Sequence, residues 1–251
     1  MLNKALYILL ALALFTITSC QTDKQPDAHR IVDDAIAVHG GERYEKSAIS
    51  FKFRDRQYRA LRDGGVFVCS RTFADSTGQQ VRDVWRNSGF SRTVNDVEVE
   101  LPDERQKAFT ASVNSVIYFA LLPYALNDEA VRKEYLGEIT IKGEPYHKVR
   151  VTFAQEGGGE GYQDVYVYWF HQERHTMDYL AYSFQEDGGG TRFREAINPR
   201  TIGGILFQDY NNYTLKEDIP LEDYDHAFEE GRMEQVSEIV LEEVEVREIE
   251  G

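Results

Sequence analysis

From Ile49 onward the chain spells a hydrophobic period of two. Ile49, Phe51 and Phe53 alternate with Ser50, Lys52 and Arg54, the pattern of a strand with one face buried and one face in water. Turn-forming clusters follow at regular intervals: Asp63-Gly64-Gly65, Asp75 to Gly78, Asn87-Ser88-Gly89 and Asn95-Asp96. Between them lie VFVCSRTF, VRDVWR and FSRTV. Short alternating runs punctuated in this way read as a meander of antiparallel strands. A second meander starts at ITIKGEPYHKVRVTF, with a hairpin around Lys142-Gly143-Glu144, and continues through DVYVYWF, TMDYLAYSF, TRFREAI and ILFQDYNNYTL.

Helical spacing interrupts this pattern in a few places. HRIVDDAIAVHGG puts Ile31, Ala35 and Val38 on one face and stops at Gly40-Gly41, a short amphipathic helix with a glycine terminator. Between the meanders, PDERQKAFTASVNSVIYFALLP opens on a proline and two acids and closes before Pro123. Phe109, Val113, Val116, Ile117 and Ala120 form its apolar stripe, and its last turns are apolar almost all round, so that end is expected to sit deeper than a surface helix. LEDYDHAFEE reads as a short helix. SEIVLEEVEVREI fits either a strand or an amphipathic tail.

Two acidic glycine segments, FAQEGGG (153–159) and FQEDGGG (184–190), each follow an alternating run and precede another strand. A phosphate cradle needs its glycines before a helix N-terminus, so the triplets are read as hairpin turns on one rim of a sheet. A calcium site between them, built from Glu156, Glu160, Glu186 and Asp187, is the alternative chemistry. His171 and His175 bracket a turn rather than share a helix face and have no third ligand at matched spacing. No metal and no cofactor are expected.

The N-terminus has a different character. Lys4 precedes an apolar run from Ala5 to Ile17 that ends at Ile17-Thr18-Ser19-Cys20. Residues 1–19 read as a secretory signal, and their end resembles the bacterial lipobox. That resemblance implies diacylation of Cys20 and a lipidated N-terminus with a short linker over residues 20–26; the remaining chain has the length of one large β domain or two small ones and is read as a single half-barrel domain over residues 27–251. Gln21 resembles the outer-membrane sorting preference. A doubly acylated terminus anchors stably, so the implied location is the cell envelope, at the outer membrane of a Gram-negative bacterium. Cys69 is then the one remaining thiol and is read as a small strand residue.

The chain carries a formal net charge of −15. From Lys216 onward fourteen acids face three bases, so most of the excess lies in the C-terminal segment. An acidic surface of this kind gives no electrostatic basis for nucleic-acid binding. Eight arginines crowd the first meander, among them Arg56, Arg62, Arg71 and Arg92, and are expected on the outer, solvated side of the strands, with reception of an anionic headgroup at the rim as the alternative.

SVNSVIYFALLPYALND, EYLGEITIKGEPYHKVRVTF, TMDYLAYSF and RFREAINPRTIGGILFQDYNNY together resemble a family of uncharacterised bacterial lipoproteins. More distantly, the arrangement is similar to the half-barrel carriers of the Lol lipoprotein-sorting system. The resemblance implies a mainly β (α+β) fold: an incurved antiparallel sheet, or half-open barrel, of about ten strands covered by one or two helices. It also implies a hydrophobic or amphiphilic ligand, a lipid or lipoprotein acyl chain. The inward-pointing residues would be Phe51, Phe53, Val151, Phe153, Val167 and Trp169, with Phe109, Val113 and Ile117 on the covering helix. Aromatic lining suits a filled core as well as a lipid pocket. A protein-interaction module with a filled core, presenting Tyr166, Tyr168, Tyr210 and Tyr213 to a partner, is therefore the alternative. No nucleophile elbow or oriented acid–base pair appears. Asp209 and Glu195, on adjacent expected strands, are the nearest approach to one, and the chain is read as a binding protein, not an enzyme.

Overall fold

A computed structural model of the protein describes residues 26–156, 163–184 and 188–249. Cys20, the first glycine triplet and the acids Glu160, Glu186 and Asp187 lie outside them. Helix α1 (Ala28–His39) starts on the side chain of Asp27, which accepts the His29 N–H at 3.0 Å. It ends at Gly40, whose φ of 150° brings the backbone against Ile205. Ile31, Val32 and Ala35 are buried, whereas Val38 points to solvent. The buried stripe thus runs toward Ala28 and His39 instead of through Val38.

After a 3-10 turn (Gly41–Lys46), six strands follow as a meander. They are β1 (Ser47–Phe53), β2 (Arg56–Asp63), β3 (Val66–Ala74), β4 (Gln80–Arg86), β5 (Gly89–Val94) and β6 (Val97–Val99). Helix α2 (Asp103–Ala120) leads to the second meander: β7 (Val131–Ile141), β8 (Glu144–Phe153), β9 (Tyr166–His171), β10 (Met177–Phe184), β11 (Gly190–Ile202) and β12 (Ile205–Thr214). A short helix α3 (Tyr224–Glu229) precedes β13 (Glu234–Ile239) and β14 (Glu242–Glu248). The acidic C-terminal segment therefore forms two strands, so the described chain has fourteen strands where the sequence suggests about ten.

The strands pair antiparallel in two seven-stranded sheets, ordered β14-β1-β2-β3-β4-β5-β6 and β13-β12-β11-β10-β9-β8-β7. The consecutive strands β13 and β14 end up in different sheets, so the chain crosses from one sheet to the other at Val240-Leu241. Three polar contacts pin this seam. The Leu241 N–H donates to Asp209 at 2.9 Å, Arg200 donates to the Leu241 carbonyl at 2.6 Å, and Arg200 pairs with Asp209 at 3.0 Å. The β11–β12 turn presses on β14 so closely that a Cβ on Gly203 would lie 2.6 Å from Val246. The sheets do not close, and the fold is a mainly β half-open barrel with helices against its inner face.

In the strand order β8-β9-β10-β11 the ends of β8 and β10 that lead into the two glycine-rich segments lie at the same rim, while the first triplet and residues 185–187 lie outside the described residues. In the second segment, Gly188 and Gly189 have φ of 92° and 75°, values that glycine reaches without strain.

Candidate binding face beneath the central helix

Three apolar clusters organise the interior. The first joins α1 to the inner face of the second sheet, through Ile31, Val32, Leu126, Val149, Val151, Tyr168, Phe170 and Leu180. The second joins α2 to the inner face of the first sheet, through Val113, Ile117, Phe51, Tyr58, Ala60 and Cys69. The third lies on the other side of the second sheet, where Val167, Trp169, Tyr179 and Phe193 are covered by Leu221, Tyr224 and Ala227.

Most of the expected lining residues come together as read. Phe51 is buried against α2 with Phe53 packed beside it, and Val113 and Ile117 are the buried residues of the helix. Val151 and Phe153 belong to the inner cluster of the second sheet. Phe109 lies toward the N-terminal end of α2, half-buried against Phe90 and under the Arg92 guanidinium, 3.6 Å from its ring.

Val167 and Trp169 require a correction. Register pairs Val149 with Tyr168 and Arg150 with Val167, so Val167 and Trp169 share the outer face with Lys148 and Arg150. That face is closed by the segment around α3. Trp169 donates its indole N–H to the fully buried Asp225 at 3.0 Å, Lys148 pairs with Asp225 at 2.5 Å, and Arg150 pairs with Glu222 at 2.5 Å. All six residues of β9 are buried. A strand covered on both sides has no alternation to reveal which parity faces inward. For the same reason Tyr166, Tyr168 and Tyr210 are interior residues and present no surface to a partner.

The arginines require another correction. Phe51, Tyr58, Arg71, Asp83 and Arg92 are successive cross-strand neighbours, so Arg71 and Arg92 point into the half-barrel. Asp83, with no exposed surface, accepts from Arg71 at 3.0 and 2.5 Å and from Arg92 at 2.6 and 3.0 Å. Arg71 also donates to Ser112 of α2 at 2.8 Å. Arg56 and Arg62 share the inward parity and lie over Phe73 and Tyr124. The long apolar stems of arginine let it occupy either side of a strand, so residue type alone did not reveal these inner cations.

The remaining candidates have structural roles. His171 bonds Glu144 through Nε2 at 2.8 Å, and its Nδ1 accepts the N–H groups of Glu173 and Arg174, which holds the β9–β10 turn. Among the described residues no three His, Cys, Asp or Glu side chains gather as a metal site. Glu195 contacts Lys142, Asn211 and Tyr213, while Asp209 serves the seam, so the two acids do not act as a pair. Burial raises the pKa of the Cys69 thiol, as suits an inert core residue.

Aromatic side chains occupy the inner face where the last turn of α2 meets the second sheet. Phe119 packs on Tyr166 and Tyr182 with ring centroids 6.2 and 5.2 Å apart. Two surface clefts lie at the margins. One, of about 490 Å³, lies between Arg43, Lys46, Gly203 and Val246 near the seam. The other, of about 600 Å³, opens between β5–β6 and the start of α2 and is lined by Phe90, Arg92, Val99, Leu101 and Gln106. Among the described residues no helix is long and apolar enough to cross a membrane.

Comparison with solved structures finds similar chains at low identity. The LolA-superfamily protein of Nitrosomonas europaea is 10% identical, with a TM-score of 0.45 over 90% of this chain and 94% of that one. A DUF1329 family protein from Desulfovibrio piger is 11% identical, with a TM-score of 0.44 over 80% and 98%. A putative outer membrane lipoprotein-sorting protein domain from Vibrio parahaemolyticus is 8% identical, with a TM-score of 0.40 over 74% and 86%. No curated protein matches. A family profile does, across residues 4–241: the chain belongs to the family of unknown function DUF6503.

Proposed function

We propose that this protein is an envelope lipoprotein, anchored through acylated Cys20, that holds a hydrophobic or amphiphilic ligand on the inner face of its half-open barrel, with α2 as a displaceable cover. Its role is binding rather than catalysis. The observation that carries the reading is how lightly α2 is seated on an apolar surface. Of its eighteen residues, Val113 and Ile117 are the fully buried ones, with Val116 and Ala120 half-buried on the first sheet and Tyr118 and Phe119 half-buried on the second, although Phe51, Tyr58, Ala60 and Cys69 lie beneath it. Burying one aliphatic side chain contributes about 1.5–3 kcal/mol, and one methylene about 0.8 kcal/mol. An acyl chain placing roughly eight methylenes on the same surface would offset the loss of those two residues, and a longer tail would be needed to replace the half-buried Val116, Tyr118, Phe119 and Ala120 as well. The cleft at the start of α2 gives such a chain a place to enter.

A second reading draws on the packing of Phe119 onto Tyr166 and Tyr182: a filled interior, with the outer surface serving a protein partner. One experiment separates the two. The Cys20→Ser protein, secreted but not acylated, is extracted with organic solvent for mass spectrometry and titrated with a fluorescent fatty acid. Co-purified lipid or saturable fluorescence supports the container. Absence of both, together with a protein neighbour recovered by crosslinking in intact cells, supports the filled module. The mass of the Cys20 peptide from wild-type protein tests the anchor.

A further inference from the structure

Where the last turn of α2 meets the second sheet, the interior contains a cation that its surroundings do not satisfy. Arg194 on β11 pairs across the sheet with Leu180 on one side and Asn212 on the other, so it faces inward with the aromatic cluster. It is 8% exposed. Its Nη2 donates to the Tyr182 hydroxyl at 2.8 Å, and its guanidinium lies 4.2 Å from the Phe119 ring centroid and 5.0 Å from that of Tyr182. Its Nε has no hydrogen-bond partner among the described residues. No described carboxylate pairs with it, in contrast to Arg71 and Arg92, which share Asp83.

Aromatic faces stabilise a guanidinium by electrostatic attraction to the ring, but they leave the Nε–H unmet. A buried charge without a counter-charge is among the costlier features a fold can hold. Other unmet polar atoms lie close by. The hydroxyls of Tyr118 and Tyr168 neighbour each other without a well-formed hydrogen bond, and Asn212 Oδ1, directly across the ladder from Arg194, also lacks a partner. Tyr118 and Phe119 belong to the last turn of α2, so the same movement that would bare the apolar face would also uncover this cation. One row outward, Arg192 lies over Phe184 and adds positive charge toward the rim.

We infer that Arg194 receives the anionic headgroup of the ligand, so that the bound molecule is an amphiphile with a carboxylate or phosphate at one end and its tail along the inner face. The Nε–Nη2 edge of a guanidinium presents two parallel N–H groups, the geometry that carboxylate and phosphate oxygens accept bidentately. Nη2 carries a second hydrogen besides the one given to Tyr182. This inference rests on the container reading.

The test compares tails that differ only at the head. Cys20→Ser protein is titrated with oleate and with oleyl alcohol, by displacement of a neutral fluorescent lipid, in buffer alkaline enough to ionise the acid. Oleate should bind about tenfold or more tightly than the alcohol, as a hydrogen-bonded charge implies. In Arg194→Met that preference should fall below about threefold, while the ligand-free protein melts no lower than its parent, because a buried charge has been replaced by an apolar group of similar length. Arg194→Lys should keep part of the preference. Lysophosphatidic acid set against lysophosphatidylcholine, which differs by its added choline cation, tells a phosphate source from a fatty acid. Equal affinity for oleate and oleyl alcohol in the parent overturns the headgroup site and leaves the container standing, even if Arg194→Met does not fold. A preference that survives in Arg194→Met does the same. Failure of every tail to bind removes both.

Discussion

Replacing Asp83 by asparagine should be the most damaging isosteric change in the first sheet. The carboxylate is fully buried and accepts four hydrogen bonds from two guanidiniums, at 2.5 to 3.0 Å. Asparagine keeps the shape, removes the charge and turns an N–H₂ group toward two cations. Arg71 is 3% exposed and cannot reach water, whereas Arg92 is 14% exposed and can partly do so. Breaking a buried pair on one side costs about 3–5 kcal/mol. With a urea m-value of about 3 kcal/mol/M for a domain of this size, the unfolding midpoint should fall by roughly 1–1.7 M. The double change Arg71→Met with Asp83→Leu removes both buried charges and should recover most of that loss. The assay is equilibrium urea unfolding followed by tryptophan fluorescence. An Asp83→Asn midpoint within about 0.2 M of the parent (roughly 0.5 kcal/mol), or a double variant as unstable as the single one, would show that charge pairing does not hold this row together.

The pH dependence should show an acid-side loss centred on His39. Burial lowers its pKa to about 4 from the ordinary 6.5, and its Nε2 accepts the Met177 N–H at 3.2 Å. Between pH 6.5 and 4 the unfolded chain binds a proton that the folded chain refuses, so stability falls as pH drops through that window, by about 3 kcal/mol in all. His39→Gln, which keeps an acceptor for Met177, should flatten this part of the unfolding profile, and an unchanged slope would assign it to other groups. At the seam, Gly203 has a φ of 56° and sits where a Cβ would lie 2.6 Å from Val246. Gly203→Ala should lose about 1–3 kcal/mol, and Val246→Ala should partly rescue it. If the two losses simply add in denaturant titrations, the close approach carries no energy.

How far the sequence could be read followed from how local each signal is. The meanders, α1, α2 and the short α3 are written in period and turn residues within a dozen positions, and all appear. The candidate face was only half legible. Phe51, Phe53, Val151 and Phe153 sit on strands whose other face is wet or charged, so their alternation gives the side. Val167 and Trp169 sit on β9, which both faces bury, so parity was lost. The signal that could have corrected it lies on the neighbouring strand. Lys148 and Arg150 alternate with Val149 and Val151 and find their acids, Glu222 and Asp225, in LEDYD. The inward arginines find Asp83 within about a dozen residues, but nothing local tells which face of the strands that row occupies, and the division of β13 and β14 between two sheets depends on strands far away in the chain. Arg194 was equally invisible, because TRFREAI reads the same whether its arginines face in or out.

The two sheets are braced unequally, and that difference predicts where the molecule should yield. The second sheet is covered on its inner side by α1 and on its outer side by the segment around α3, which is tied down by Asp225 through Trp169 and Lys148. On the first sheet α2 covers the inner side, held by Val113, Ile117, the Ser112–Arg71 bond and the Arg92–Phe109 stack, and its last turn rests Tyr118 and Phe119 on the second sheet. A region with few buried contacts opens before the rest of the fold, so in native-state hydrogen exchange the amides of α2 should lose protection well before those of α1. A saturating acyl ligand on the inner face should change α2 more than any other element. The order bears on the anchoring proposed at Cys20, because a tether joined ahead of α1 would meet the doubly covered second sheet and leave the cover of the first sheet free to move. If α1 exchanges first, or both helices exchange only with global unfolding, α2 is a fixed wall and a ligand would have to enter by another route.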